Sequence, residues 1–146
     1  MKKIFLSLSL IMTVATASFA NDARDPDPEV KEVFKKEFPG AQSVVWSEQD
    51  GFYKATFILA NHRTIAYFDR YYELVGCVRD IFYDQLPITV MKAIDKKFPT
   101  ASFSEVREIT NDDGTSYLLK IEEGSKKYKV KVTSEGSFTE ITKVNK

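Results

Sequence analysis

The sequence of 146 residues has a single cysteine, Cys77, so it can form no internal disulfide. An exported chain of this kind must be held together by packing. Cys77 reads as a small buried hydrophobe on a strand, with an intermolecular disulfide or a reactive thiol as the sharper alternative. Histidine is equally scarce: His62 is alone. One His and one Cys cannot supply the three or four nitrogen and sulfur ligands of a zinc site. His62 follows Asn61 in an expected hairpin turn. A turn tip is a poor place for a base that a carboxylate must orient in a pocket, so the reading is a surface histidine. An excess of one charge is also missing, with 21 Lys and Arg against 21 Asp and Glu. Such a balance argues against a nucleic-acid binder, which carries a basic surplus or stripe. No glycine-rich phosphate loop and no G-x-S-x-G elbow occurs. Asn111-Asp112-Asp113 is followed by Gly114 and no suitably placed glutamate, so it reads as a turn and not a calcium loop. No catalytic residue, cofactor or metal ligand is assigned, and the chain reads as non-catalytic.

One long apolar run is present, at the start. Met1-Lys2-Lys3 is basic, Ile4 to Ala17 is apolar, and Ser18-Phe19-Ala20 places small residues where a signal peptidase requires them. The run is short for a membrane anchor, which needs about 20 apolar residues. Residues 1–20 are therefore expected to be a signal peptide cut near Ala20, giving a periplasmic or secreted bacterial protein. No cysteine follows the run to carry a lipid. Without Lys2 and Lys3 the chain has 19 basic residues against 21 acidic ones, a formal charge of −2. The composition is 43% hydrophobic and 13% aromatic, enough for an ordinary globular core.

What the sequence does contain is a motif that recurs. Lys36-Glu37-Phe38-Pro39-Gly40-Ala41 returns as Lys96-Lys97-Phe98-Pro99-Thr100-Ala101. Self-similarity at a fixed spacing predicts copies of one unit. Val30, Val33, Phe34 and Phe38 recur at helical spacing, as do Val90, Met91, Ile94 and Phe98. Pro39 and Pro99 end the two helices. Asp27 and Pro28 suit the first helix start. Each helix is followed by four strand-like runs with short turns, and Asp50-Gly51 is a strong hairpin signal. Laid together, Phe38 matches Phe98, Tyr53 matches Tyr117, Phe57 matches Ile121, Phe68 matches Val132 and Leu74 matches Phe138. The expected fold class is α+β: two tandem copies of a helix followed by a four-stranded antiparallel meander, with helices packed on one face. The expected units are 21–84 and 85–146, joined by a bridge at Ile81, Phe82 and Tyr83 that is too apolar to be a free linker.

The copies differ on the face away from the helices. In the second, Lys120, Glu122, Lys127, Lys129 and Lys131 point outward, so that face is expected to be solvated. In the first, the corresponding set includes Trp46, Ile58, Ile65 and Tyr67, with Tyr71 and Tyr72 adding aromatic surface in a turn. An apolar, aromatic patch of this kind marks a binding surface, and Trp and Tyr are frequent interface anchors. The same face could instead be covered by the other half, by the bridge or by a second copy.

The pattern Leu86-Pro87-x-x-Val90-x-x-Ala93-Ile94-x-x-x-Phe98-Pro99-x-Ala101, followed by Tyr117-x-x-Lys120 and Gly136-x-Phe138, resembles the bacterial PepSY-like family, also described as β-lactamase-inhibitor-like (BLIP-like). Val30, Phe34, Phe38-Pro39-Gly40-Ala41, Trp46, Tyr53 and Phe68-Asp69 carry the resemblance in the first copy, which departs from it at Tyr71-Tyr72, where a turn glycine is usual. The resemblance implies an exported α+β protein with a binding or inhibitory role and brings no catalytic residues. The partner it implies is another exported protein, or the chain itself; the alternatives are a structural, self-associating protein or a small-ligand carrier.

Overall fold

A computed structural model describes residues 25–144. The expected signal peptide lies outside them. Helix α1 spans Pro28–Glu37 and is followed by strands β1 (Gln42–Gln49), β2 (Phe52–Leu59), β3 (His62–Phe68) and β4 (Leu74–Asp80). A short 3-10 turn, Tyr83–Gln85, leads into α2 (Ile88–Lys97). Strands β5 (Ser102–Asn111), β6 (Gly114–Glu123), β7 (Lys126–Thr133) and β8 (Phe138–Val144) complete the described chain. Among the described residues no helix is long and apolar enough to cross a membrane.

The helices end where the sequence requires. Phe38 leaves helical geometry at φ −126°, ψ 63°, because Pro39 crowds the preceding residue, yet its N–H still donates to the Phe34 carbonyl at 2.9 Å. Phe98 does the same at φ −131°, ψ 70° before Pro99. Asp50 and Gly51 both have positive φ, 54° and 84°, the twist that a two-residue hairpin needs. The next hairpin turns at Ala60 and Asn61, with φ 49° and 65°, so His62 opens β3 and is not part of the turn.

The expectation of two tandem helix-plus-four-strand copies is corrected by the sheet. All eight strands form one antiparallel meander in the order β1 to β8, carrying two helices. The finding that overturns two self-contained copies is the pairing of β4 with β5, from Gly76 opposite Asn111 to Asp80 opposite Arg107. Separate sheets would each expose an unpaired backbone edge at this point. Pairing removes both edges, and Arg79 adds a cross-strand bond to Glu108 at 2.9 Å.

Both helices lie on one face of this sheet. α1 packs Val30 and Phe34 on Ala55, Phe57, Ala66 and Phe68. α2 packs Val90, Ile94 and Phe98 on Leu119, Ile121, Val130 and Val132. The first cluster is aromatic, with the Phe34 ring centroid 4.9 Å from that of Phe57 and 5.2 Å from that of Trp46. The second is mostly aliphatic. Among the described residues no helix lies over the opposite, outer face.

Candidate protein-binding face

Strand register sets which side chains share the outer face. Thr56, Ile65, Val78, Ile109 and Ser116 stand side by side across five strands. The neighbouring row is Lys54, Tyr67, Gly76, Asn111 and Gly114. On the other side run Ile58, Arg63, Asp80, Arg107 and Leu118. The pairing of Thr64 with Arg79 brings Arg63 beside Asp80.

Gly76 has no side chain to fill its place between Tyr67 and Asn111. A hollow of about 410 Å³ results, walled by Phe52, Tyr67, Val75, Val78 and Ile109. Gln49, Asp50 and Asn111 give it a polar rim. Phe52 keeps 38% of its surface exposed. A methyl group added at Gly76 would meet the Thr110 carbonyl at 3.5 Å and Asn111 Cβ at 3.9 Å, which is ordinary contact. The hollow is thus space that a side chain could occupy.

Beside it lies a chain of charges. Arg63 reaches Asp80 at 3.7 Å, Asp80 accepts from Arg107 Nε at 3.0 Å, and Glu105 holds both Arg107 at 2.6 Å and Lys120 at 2.5 Å. Partial burial pushes the Glu105 carboxyl up, but Lys120 and Arg107 together bring it below its usual range. It therefore stays ionised and the network keeps its sign pattern at neutral pH.

The six residues singled out from sequence do not share one surface. Ile58, Ile65 and Tyr67 do lie on the outer face. Ile65 is only 7% exposed, because Thr56 and Val78 flank it on the adjacent strands. Trp46 is on the helix face: it pairs with Ala55 and packs on Phe34 and Phe68. Tyr72 also turns to the helix side. Its hydroxyl donates to Asp27 Oδ2 at 3.0 Å, beside Tyr53, which donates to the same oxygen at 2.6 Å. The Asp27 carboxylate therefore clamps the start of α1 to the sheet and makes no cap bond to the helix. Tyr71 is 67% exposed, at a turn held by Asp69, with the Arg70 guanidinium 4.9 Å from its ring centre.

Val78, Ile109 and Phe52 were not singled out from sequence. The first two become neighbours only through the β4–β5 pairing. Phe52 had a signal: it follows Gly51 and alternates with Tyr53, so it must face outward. Cys77 is on the helix face, in the row of Ala66, and is half-buried. Burial raises its thiol pKa, with Glu108 adding to the rise and Arg79 opposing it, so it is a weak nucleophile. His62 rests its Nδ1 2.8 Å from the Asp80 carbonyl oxygen, half-buried against Phe82.

Comparison with known proteins adds the fold's relatives. No family model matches the chain, and no curated protein does. Solved structures match over most of its length. A DUF2874 family protein from Bacteroides uniformis superposes with a TM-score of 0.75 at 21% identity, over 82% of this chain and 90% of that one. A BLIP-like protein from Bacteroides fragilis gives 0.75 at 18% identity, over 84% and 89%. A candidate periplasmic protein from Bacteroides eggerthii gives 0.74 at 20% identity, over 81% and 88%. The chain has the fold shared by BLIP-like and DUF2874 family proteins, as the sequence resemblance implied. At these identities the likeness is one of fold.

Proposed function

We propose that the protein is an exported, non-catalytic module that binds another exported protein through the outer face of its sheet. The observation that carries this reading is the hollow over Gly76. Its apolar walls and polar rim have the makeup of a pocket that receives one anchoring side chain of a partner. The charge chain from Arg63 to Lys120 lies alongside and would orient the partner, since charges at the edge of an interface steer and select more than they bind. The BLIP-like neighbour supports an inhibitor-like role, and the candidate periplasmic neighbour, with the signal-like start, supports export. In this reading 21–84 and 85–146 are the two halves of one binding platform.

Capture from a periplasmic extract tests it. The wild-type chain is compared with Tyr67→Ala and Gly76→Val, which remove a wall and fill the hollow. Loss of the same captured protein with both variants is expected; unchanged capture by both refutes the face. Self-association through this face is the other reading, and light scattering over a concentration range separates the two.

A further inference from the structure

The helix face carries a second groove, and the fold supplies a template for what fills it. α1 meets β1, and α2 meets β5, through corners of the same geometry. After Phe38 and Phe98, the N–H groups of Ala41 and Ala101 donate back to the Phe38 and Phe98 carbonyls, both at 3.2 Å. Each strand then bulges, between Gln42 and Val45 in one and between Phe103 and Glu105 in the other. At the second corner an aromatic ring bridges helix and strand. Tyr83 stacks on Phe103 with centroids 4.1 Å apart and planes 11° apart, and its hydroxyl donates to Asp95 of α2 at 2.6 Å. At the first corner no ring of the described residues fills the corresponding space. It is a groove of about 300 Å³ with Phe34, Phe38, Val44 and Trp46 as its apolar lining and Lys31 and Lys35 beside them. Sixty residues before Tyr83 and Asp95 stand Ala23 and Lys35. By sequence, position 23 offers no ring, and α1 carries the opposite charge at Lys35.

We propose that the groove between α1 and β1 is a docking site for a peptide that presents an aromatic side chain flanked by carboxylates. The aromatic lining offers edge and face contacts to an inserted ring. Lys31 is paired with the chain's own Asp25, which leaves Lys35 as the cation at the rim for a flanking acid. Lys35 stands where a flanking acid would meet it. The chain's own Asp80-Ile81-Phe82-Tyr83-Asp84-Gln85 has this makeup and is the segment whose ring fills the second corner. The groove is on the face opposite the Gly76 hollow, so it goes beyond the proposed function and stands or falls separately.

Trp46 is the only tryptophan, and it lines the groove. Its emission therefore reports occupancy directly. The blocked hexapeptide of sequence Asp80–Gln85 is titrated into the protein, with excitation beyond the tyrosine band. A saturable change in Trp46 emission is expected. Lys35→Glu, an exposed position, should weaken it about five- to tenfold by turning an attraction into a repulsion. Replacing both peptide rings by alanine should abolish it, and Tyr67→Ala on the outer face should leave it intact. Equal responses with Lys35→Glu, or with the ring-less peptide, overturn the proposal. So does emission that ignores the peptide, or that changes with protein concentration alone, which would make a second copy the occupant.

Discussion

Replacing Phe57 by alanine is the sharpest test of how the core is built. Phe57 is 1% exposed at the centre of the first cluster. Its ring lies 4.9 Å from Phe34 at 84° and 4.9 Å from Phe38 at 54°, so it joins the helix to its aromatic stop. Removing a buried ring costs about 3–5 kcal/mol through lost transfer energy and an unfilled cavity. Each aromatic pair contributes about 0.5–1.5 kcal/mol beyond its buried area. With two such pairs lost, Phe57→Ala belongs near the upper end, at about 4 kcal/mol. That is a large share of the roughly 5–15 kcal/mol total for a small domain. Leu119→Ala, in the aliphatic cluster under α2, should cost about 3 kcal/mol. The assay is urea unfolding followed by Trp46 emission and by far-ultraviolet circular dichroism. Trp46 senses the first cluster, while dichroism senses all eight strands. Because β4 and β5 join the two clusters into one sheet, the two signals should change together for both variants. A loss below about 1 kcal/mol for Phe57→Ala would refute the packing argument. Separate transitions would refute the claim that the shared sheet makes the clusters cooperative.

Ala60 sits at φ 49°, a conformation that costs an alanine about 1–2 kcal/mol, so Ala60→Gly should stabilise by about 0.5–1 kcal/mol after the entropy of the added glycine, seen as a raised urea midpoint. Gly136 has φ 87°, and a methyl group there would lie 2.9 Å from the Thr89 carbonyl oxygen of α2, so Gly136→Ala should cost about 2–3 kcal/mol, whereas Gly40→Ala, with φ 89° but open space, should cost only about 1 kcal/mol. The bonds from Tyr53 and Tyr72 hold the Asp27 carboxyl below its usual range. Its contribution to stability is therefore complete above the ordinary carboxylate range and is lost as pH falls through the lowered native value. Tyr53 is raised from 10.0 to about 12, first by its bond to Asp27, so its contribution is complete below about 10 and lost as pH rises through about 12. Asp27→Asn should flatten the acid limb of a melting-temperature profile, and an unchanged limb would show that the clamp is not coupled to folding.

The elements were legible because local chemistry dictates them. Phe38-Pro39 and Phe98-Pro99 had to end helices, and Asp50-Gly51 had to turn a hairpin. The pairing of β4 with β5 was not legible. A strand edge has no residue signature for its neighbour, and Arg79 with Glu108, or Asp80 with Arg107, can be matched only after the two strands are known to touch. The misplacement of Trp46 has a different origin, since the information was present. A two-residue turn at Asp50-Gly51 sets Gln49 opposite Phe52, and counting back three places sets Trp46 opposite Ala55. Ala55 alternates in phase with the core residue Phe57, so Trp46 had to follow it to the helix face. Tyr72 is different again: its turn through φ 66° toward Asp27 depends on a contact 45 residues away, which no local pattern encodes.

The sheet junction also decides what kind of surface the protein offers. Had each helix kept its own four strands, Ile65 and Tyr67 would stand one strand from an open edge, and β4 would attract other chains along its backbone. With β5 in place, Ile109 extends the apolar row beyond Val78, and Asn111 closes the far side of the hollow over Gly76. The candidate surface is therefore assembled from both sides of the junction, with Phe52 and Tyr67 from one and Ile109 and Asn111 from the other. The same junction places Asp80 between Arg63 and Arg107, so it also ties the charge chain together. Apolar hollow and charge chain meet on β4, where Gly76 and Val78 line the hollow and Asp80 joins the charges. A partner seated there would contact the middle of the sheet, where strands are held from both sides, and would meet a surface already shaped before binding. Little ordering would then be needed on this side of the interface, which favours affinity from a small contact area.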